Sequence, residues 1–104
     1  MNTYYNKSEI IIIMYSIDDR NSSEMVDVYY QKCKNTNKTN SVIVIVGNKS
    51  DSKNRVVFRN EGNNYAISKN IAFFEISVKE NKGLFNVIVN SINQLNSNKK
   101  QNLL

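Results

Sequence analysis

The residues able to recognise a ligand fall in two short polar stretches, each following an apolar run. The first is Gly47-Asn48-Lys49-Ser50-Asp51, directly after the β-branched run Val42-Ile43-Val44-Ile45-Val46. The second is Ser77-Val78-Lys79, after Ile71-Ala72-Phe73-Phe74-Glu75-Ile76. An ionised carboxylate is acceptor-only and takes two parallel hydrogen bonds. Guanine offers that pair, a ring N–H beside an exocyclic amine, whereas adenine presents an acceptor and no amine there. Asp51 is therefore the candidate that selects guanine, and an unmatched base leaves it unpaired at a cost of about 1–3 kcal/mol. Lys49 can lay its alkyl stem along a base plane and keep its ammonium in water. Asn48 can hold the loop through its amide, and the backbone N–H groups of Ser77, Val78 and Lys79 can donate to the guanine oxygen.

These stretches need elements to position them. Val42 to Val46 reads as a strand buried on both faces, with the chain turning at Gly47. Ile10 to Ile17 is a near-continuous apolar run whose length and β-branching predict another buried strand. Asn21-Ser22-Ser23-Glu24 has capping-box spacing, and Met25, Val28, Tyr29 and Cys33 then recur on one helical face. Cys33 on that face reads as a packed thiol. Val56-Val57-Phe58 through Lys69 reads as a second helical region with Phe58, Tyr65, Ala66 and Lys69 on one face. Gly62 inside it costs about 1 kcal/mol relative to Ala. Ile71 to Ile76 is a third strand. Leu84, Val87, Ile88, Ile92 and Leu95 predict a long amphipathic helix, and Asn96 to Leu104 a frayed or disordered polar tail. Strand and helix alternate, which predicts an α/β fold with a parallel sheet and right-handed crossovers. In such sheets ligands bind beyond the carboxyl ends of the strands, where both polar stretches fall.

Composition narrows the field. At 104 residues the chain makes at most one small domain. No apolar run approaches the length of a membrane-spanning helix, and Met1-Asn2-Thr3-Tyr4-Tyr5 lacks the features of a signal peptide. The lone Cys33 makes no internal disulfide, which favours a reducing, cytoplasmic setting. With no His and one Cys, a zinc site or a His-dependent triad is excluded. Asn makes up about a fifth of the chain, as adenine- and thymine-rich codons would produce. The net charge of +5 is spread along the whole sequence. Only Lys99-Lys100 and the loose group Lys32, Lys34 and Lys38 cluster, and no aromatic-interleaved basic stripe points to nucleic acid.

Val44-Ile45-Val46-Gly47-Asn48-Lys49-Ser50-Asp51 resembles the Asn-Lys-x-Asp guanine-specificity motif of Ras-superfamily small GTPases. Phe73-Phe74-Glu75-Ile76-Ser77-Val78-Lys79 is similar to their second base-contacting motif, Glu-Thr-Ser-Ala-Lys. Tyr4-Tyr5-Asn6-Lys7-Ser8 looks like the Tyr-Tyr-Arg-Gly-Ala stretch of the Rab branch, and Asn60-Glu61-Gly62 with Tyr65-Ala66 fits the helix between the two base motifs. The resemblance runs from about Tyr4 to Leu95. It implies a three-layer P-loop-NTPase-like fold, present in part as about three strands and three helices over residues 1–96. It also implies GTP or GDP as ligand, with Asn48, Lys49, Asp51, Ser77, Val78 and Lys79 at the base.

Two departures qualify what the resemblance implies. Val78 stands where the family has Ala, and its bulk crowds the base edge while its N–H remains. The family's phosphate loop, G-x-x-x-x-G-K-[ST], holds the β/γ-phosphates through backbone amides and a Lys, and it has no counterpart here. The three glycines are Gly47, Gly62 and Gly83, none followed directly by Lys. Nor is there an Asp-x-x-Gly for magnesium or a water-positioning Gln, so no catalytic or metal-binding residue is assigned, and magnesium is expected only in a complete domain.

The chain thus resembles the C-terminal part of a Rab-like GTPase, whose parent hydrolyses GTP in a trafficking or signalling switch alongside effectors or regulators. The alternative is a non-catalytic pseudo-GTPase acting as an interaction protein. Two further expectations follow. In the family the first strand here pairs with a strand from the half that is absent. The resemblance therefore implies that Ile10 to Ile13 is an open apolar edge, that the last helix lacks a packing partner on one face, and that the isolated chain is poorly soluble or self-associates. Asn98-Lys99-Lys100-Gln101-Asn102-Leu103-Leu104 has no prenylation cysteine.

Overall fold

The computed structural model describes residues 9–36 and 41–102. Tyr4-Tyr5 and Lys38, singled out above, lie outside the described residues. The element order is β1 (Ile10–Ser16), α1 (Arg20–Glu24), α2 (Val26–Asn35), β2 (Val42–Asn48), α3 (Arg59–Lys69), β3 (Ala72–Glu75) and α4 (Leu84–Asn102). The strands form one open sheet in the order β1-β2-β3, parallel throughout, with Ile10 opposite Val42 and Val44 opposite Ala72. The expected three-layer parallel α/β arrangement is present.

Strand alternation sends neighbouring side chains to opposite faces, and each face has its own core. On one face Ile13, Tyr15, Ile17 and Ile45 pack with Val26 and Tyr30 of α2, Ala66 of α3 and Val57 of the intervening loop. On the other, Val42, Val44 and Val46 pack with Ile76 and with Val87 of α4. β2 is central and buried from both sides, which is why its sequence is an unbroken β-branched run.

Several details differ from the sequence reading. The first helix begins at Arg20, capped by Asp19, whose carboxylate accepts the Ser22 N–H; Asn21 is inside it. The helix breaks at Met25, and the side of α2 that meets the sheet carries Val26 and Tyr30. Met25, Val28 and Tyr29, expected to be buried, are exposed. Two apolar stripes run side by side on this helix, and the aromatic ring of Tyr30, edge-on to Tyr65, fills the gap to α3.

The helical region after β2 starts at Arg59, because Val56 and Val57 instead donate their N–H groups to the Ile17 carbonyl. Phe58 is exposed, and its N–H is capped by the Glu61 carboxylate. Gly62 is a packing requirement: a Cβ there would lie 2.3 Å from the Phe73 ring and 2.5 Å from the Tyr15 hydroxyl. Finally, α4 continues through Asn102, so Asn96 onward is not a loose tail up to that point. No Gly or Pro interrupts the sequence from Leu84 to Asn102, so nothing in it stops the helix. The buried side of α4 is Val87 and Ser91, whose hydroxyl donates to the Val87 carbonyl, while Leu84, Ile88 and Ile92 are exposed.

Candidate functional site

β2 and β3 are hydrogen-bonded neighbours, so the two polar stretches leave the sheet side by side at its carboxyl edge. The backbone fixes their separation first. Ile76 N–H donates to the Gly47 carbonyl at 2.8 Å and Ser50 N–H to the Ile76 carbonyl at 2.9 Å. Side chains then lock the two loops. The Ser77 hydroxyl donates to Asp51 Oδ1 at 2.6 Å, and Val78 N–H donates to Asn48 Oδ1 at 3.2 Å. Ser77 is fully buried, and its oxygen also accepts the Glu80 N–H at 3.0 Å. Reciprocal backbone bonds between Ser77 and Lys82 close the second loop into a small hairpin. Of the six residues singled out, Asn48, Asp51, Ser77 and Val78 are thus joined directly.

The turn is not at Gly47. That residue lies within β2, paired with Tyr15 and Glu75, and a Cβ on it would sit 2.9 Å from the Tyr15 hydroxyl. The glycine makes room for that buried ring. The chain turns at Lys49, whose φ of 66° is left-handed, a conformation that costs a residue with a Cβ about 1–2 kcal/mol. A polar loop that holds a lysine in this conformation projects it away from the sheet, and Lys49 is exposed. Its ammonium lies 3.8 Å from Asp18, an exposed pairing worth little. Lys79 is exposed, across the same cleft.

The cleft at this edge has a volume of about 520 Å³ and is lined by Asp18, Asn48, Lys49, Asp51, Ser52 and Lys79, with Lys53 and Asn54. Asp18 reads in the sequence only as part of the polar loop that ends the first strand, although its position just past the carboxyl end of β1 is a signal for the site. Ser52 donates to Asp18 at 3.5 Å, linking this third loop to the other two. The Ser77 hydroxyl, with Asp51's own backbone N–H and the nearby ammoniums of Lys79 and Lys49, holds the Asp51 carboxyl below the usual carboxylate range. Asp51 is therefore an ionised acceptor at neutral pH.

Arg55 carries no such signal. Its guanidinium makes two 2.8 Å bonds to the Glu75 carboxylate and one of 2.9 Å to the Val57 carbonyl. The Glu75 side chain is only 5% exposed, so this pair pins the connection after Asp51 to the end of β3. Read from sequence, residues 52–55 are merely a basic connection.

A parallel sheet with helices on both faces and paired polar loops at its carboxyl edge is a partial P-loop GTPase-like α/β fold. The chain belongs to the Ras family, whose pattern matches residues 1–97; it is a Ras-superfamily small GTPase sequence. It is 33% identical over 90 residues to the GTP-binding protein Di-Ras3 of Homo sapiens, covering 81% of this chain and 39% of that protein. It is 42% identical over 78 residues to the GTP-binding protein Rheb homolog 1 of Caenorhabditis elegans, covering 73% and 38%. With the Ras-related protein RabC of Dictyostelium discoideum it shares 30% identity over 103 residues, covering 94% and 52%. The chain therefore spans 38–52% of the length of these relatives.

Proposed function

We propose that this chain binds GTP or GDP through the guanine base, with Asp51 as the discriminating group. The observation that carries the reading is the pair of bonds joining the loops, Ser77 to Asp51 and Val78 to Asn48. They leave Asp51 ionised and in the lining of the cleft, where a carboxylate suits the N–H and amine of guanine. Lys49 and Lys79 flank the base with their stems, while Asn48 and Ser77 position the loops. The Val78 N–H already donates to Asn48, so the guanine oxygen takes its bond from the Lys79 end of the second loop. Relatives named as GTP-binding proteins support this choice of nucleotide.

The wider activity belongs to a complete domain. There, a phosphate loop and magnesium supply the grip on the phosphates, and the protein acts as a Rab-like, cytoplasmic or endomembrane-surface GTPase switch with protein effectors or regulators. Among the described residues no helix is long and apolar enough to cross a membrane. Base contacts without phosphate contacts are worth on the order of 4 kcal/mol, a millimolar affinity. Titrating the purified chain with fluorescent GDP is expected to give only millimolar binding, with no hydrolysis of GTP above buffer. Micromolar binding would mean that the phosphates are held here by other groups.

A further inference from the structure

We infer that a cavity between α2 and α3 binds a neutral, largely apolar small molecule through a hydrogen bond from the Tyr15 hydroxyl. Its volume is about 300 Å³, at the small end of ligand sites and enough for one substituted ring. It shares no lining residue with the cleft at the carboxyl edge of the sheet, so it is a separate site. Its walls belong to this chain: Tyr15 and Ile45 from the sheet, Val26 from α2, Val57 from the loop after β2, and Gly62 and Tyr65 from α3. Two exposed contacts tie α3 to the first two helices beside it. Arg20 donates to the Glu61 carboxylate at 2.6 Å, and the Tyr65 hydroxyl to Asp27 at 2.6 Å.

Tyr15 is the polar group at this cavity that lacks a partner. It is 4% exposed, and among the described residues its hydroxyl is the buried side-chain polar atom with no hydrogen bond. Native interiors seldom leave such a group unpaired. The hydroxyl lies against α3, where a Cβ on Gly62 would come within 2.5 Å of it. Gly62 is itself part of the cavity wall and puts no side chain between the hydroxyl and the cavity. Burial, and then the charge of Glu75, push the phenol up to about 12, so it keeps its proton and acts as a donor. The ligand must therefore bring an acceptor. The charged lining residues are Arg20, Glu24, Asp27 and Glu61, three carboxylates to one guanidinium, which disfavours an anion. Arg20 is already engaged by Glu61 and by the Val56 carbonyl. The remaining walls are apolar and reward a ligand with an apolar body.

Two isosteric probes separate the hydrogen bond from simple filling of the cavity: benzonitrile, whose nitrogen accepts, and phenylacetylene, which has a C–H in its place. Added to the intact, isotopically labelled chain, benzonitrile is expected to shift the amide resonances of Tyr15, Gly62 and Tyr65 at millimolar concentration, while those of Lys49 and Asp51 stay in place. Phenylacetylene is expected to bind about fivefold to tenfold more weakly, the loss of one hydrogen bond. The nitrile stretch of bound benzonitrile is expected to move to higher frequency, as a hydrogen bond to its nitrogen requires. Tyr15→Phe removes a hydroxyl that has no partner, so the fold is retained, and it is expected to erase both the preference and the frequency shift. Benzoate, which carries the disfavoured charge, is expected not to bind. The absence of shifts with benzonitrile overturns the proposal, as does equal affinity for the two neutral probes. So does a preference that survives in Tyr15→Phe, or benzoate that binds as tightly as benzonitrile. Should Tyr15→Phe fail to fold, the two probes and the nitrile stretch on the wild type decide the matter alone.

Discussion

The carboxyl ends of the strands and the outer edge of β1 are opposites within one sheet. At the carboxyl ends, backbone and side-chain hydrogen bonds join the loops after β2 and β3, and Arg55 clamps the connection behind them. At the β1 edge, Ile10, Ile12 and Met14 offer backbone groups that no other described strand takes up. One region satisfies its own polar groups and presents a shaped cleft, and the other leaves outward backbone groups that no strand among the described residues takes up. A parallel sheet built from consecutive crossovers produces this asymmetry, since loops gather at one end while the first strand stays on the rim.

The contrast breaks hardest at Arg55. Arg55→Ala leaves the buried Glu75 carboxylate with only the longer 3.5 Å pairing to Arg59 and is expected to cost about 3 kcal/mol, the lower end for a broken buried pair, read as a lower denaturation midpoint. Ile12→Lys, on the open side, is expected to change the stability of the monomer by less than about 0.5 kcal/mol. Equal losses at the two sites would erase the distinction.

Gly62→Ala is a subtler probe of what stands behind the cleft. Helix propensity favours alanine by about 1 kcal/mol, but the added methyl meets the Phe73 ring and the Tyr15 hydroxyl. Overpacking at such a contact costs about 1–3 kcal/mol, so net destabilisation in thermal melts is expected. A stabilised variant would show that α3 moves off the sheet freely.

Lys49→Gly separates loop strain from ligand contact. Glycine adopts the left-handed turn without the Cβ penalty, so stability is expected to rise by about 0.5–1 kcal/mol while base binding weakens. If binding is unchanged, the lysine stem does not touch the base.

The smallest effect is electrostatic. Hydrogen bonds from Arg20, and then from the Phe58 N–H, lower the Glu61 carboxyl from 4.5 to about 2. Its folded pKa lies below its unfolded one, so its contribution is fully present above about pH 5 and is lost as pH falls toward about 2. Asp51 is shifted in the same direction. Denaturant midpoints between pH 6 and pH 2.5 are expected to fall, and Glu61→Gln to flatten part of that slope. An unchanged slope in the variant would assign the acid sensitivity to other carboxylates.

The order of elements and the two polar loops were legible because β-branched runs and helical periodicity are local signals. Which stripe of α2 faces the sheet was not, since Met25-Val28-Tyr29 and Val26-Tyr30 are equally apolar and only the packing of Tyr30 against α3 chooses between them. The turn at Lys49 was hidden for a related reason. Gly47 looks like a turn residue, but its missing side chain serves Tyr15 on another strand. Arg55 becomes meaningful only when distant segments meet, at Glu75, whereas Asp18, beside Lys49, is marked in the sequence by its place just past β1.

The most direct test of base recognition follows the amide resonances of Asn48 to Asp51 and Ser77 to Lys79 during separate titrations with GMP and AMP. GMP is expected to shift both sets in the millimolar range, AMP to leave them in place, and Asp51→Asn, which retains an acceptor for Ser77, to abolish the preference. Equal responses to the two nucleotides, or guanine preference that survives in Asp51→Asn, would contradict the assignment of Asp51 as the discriminating group.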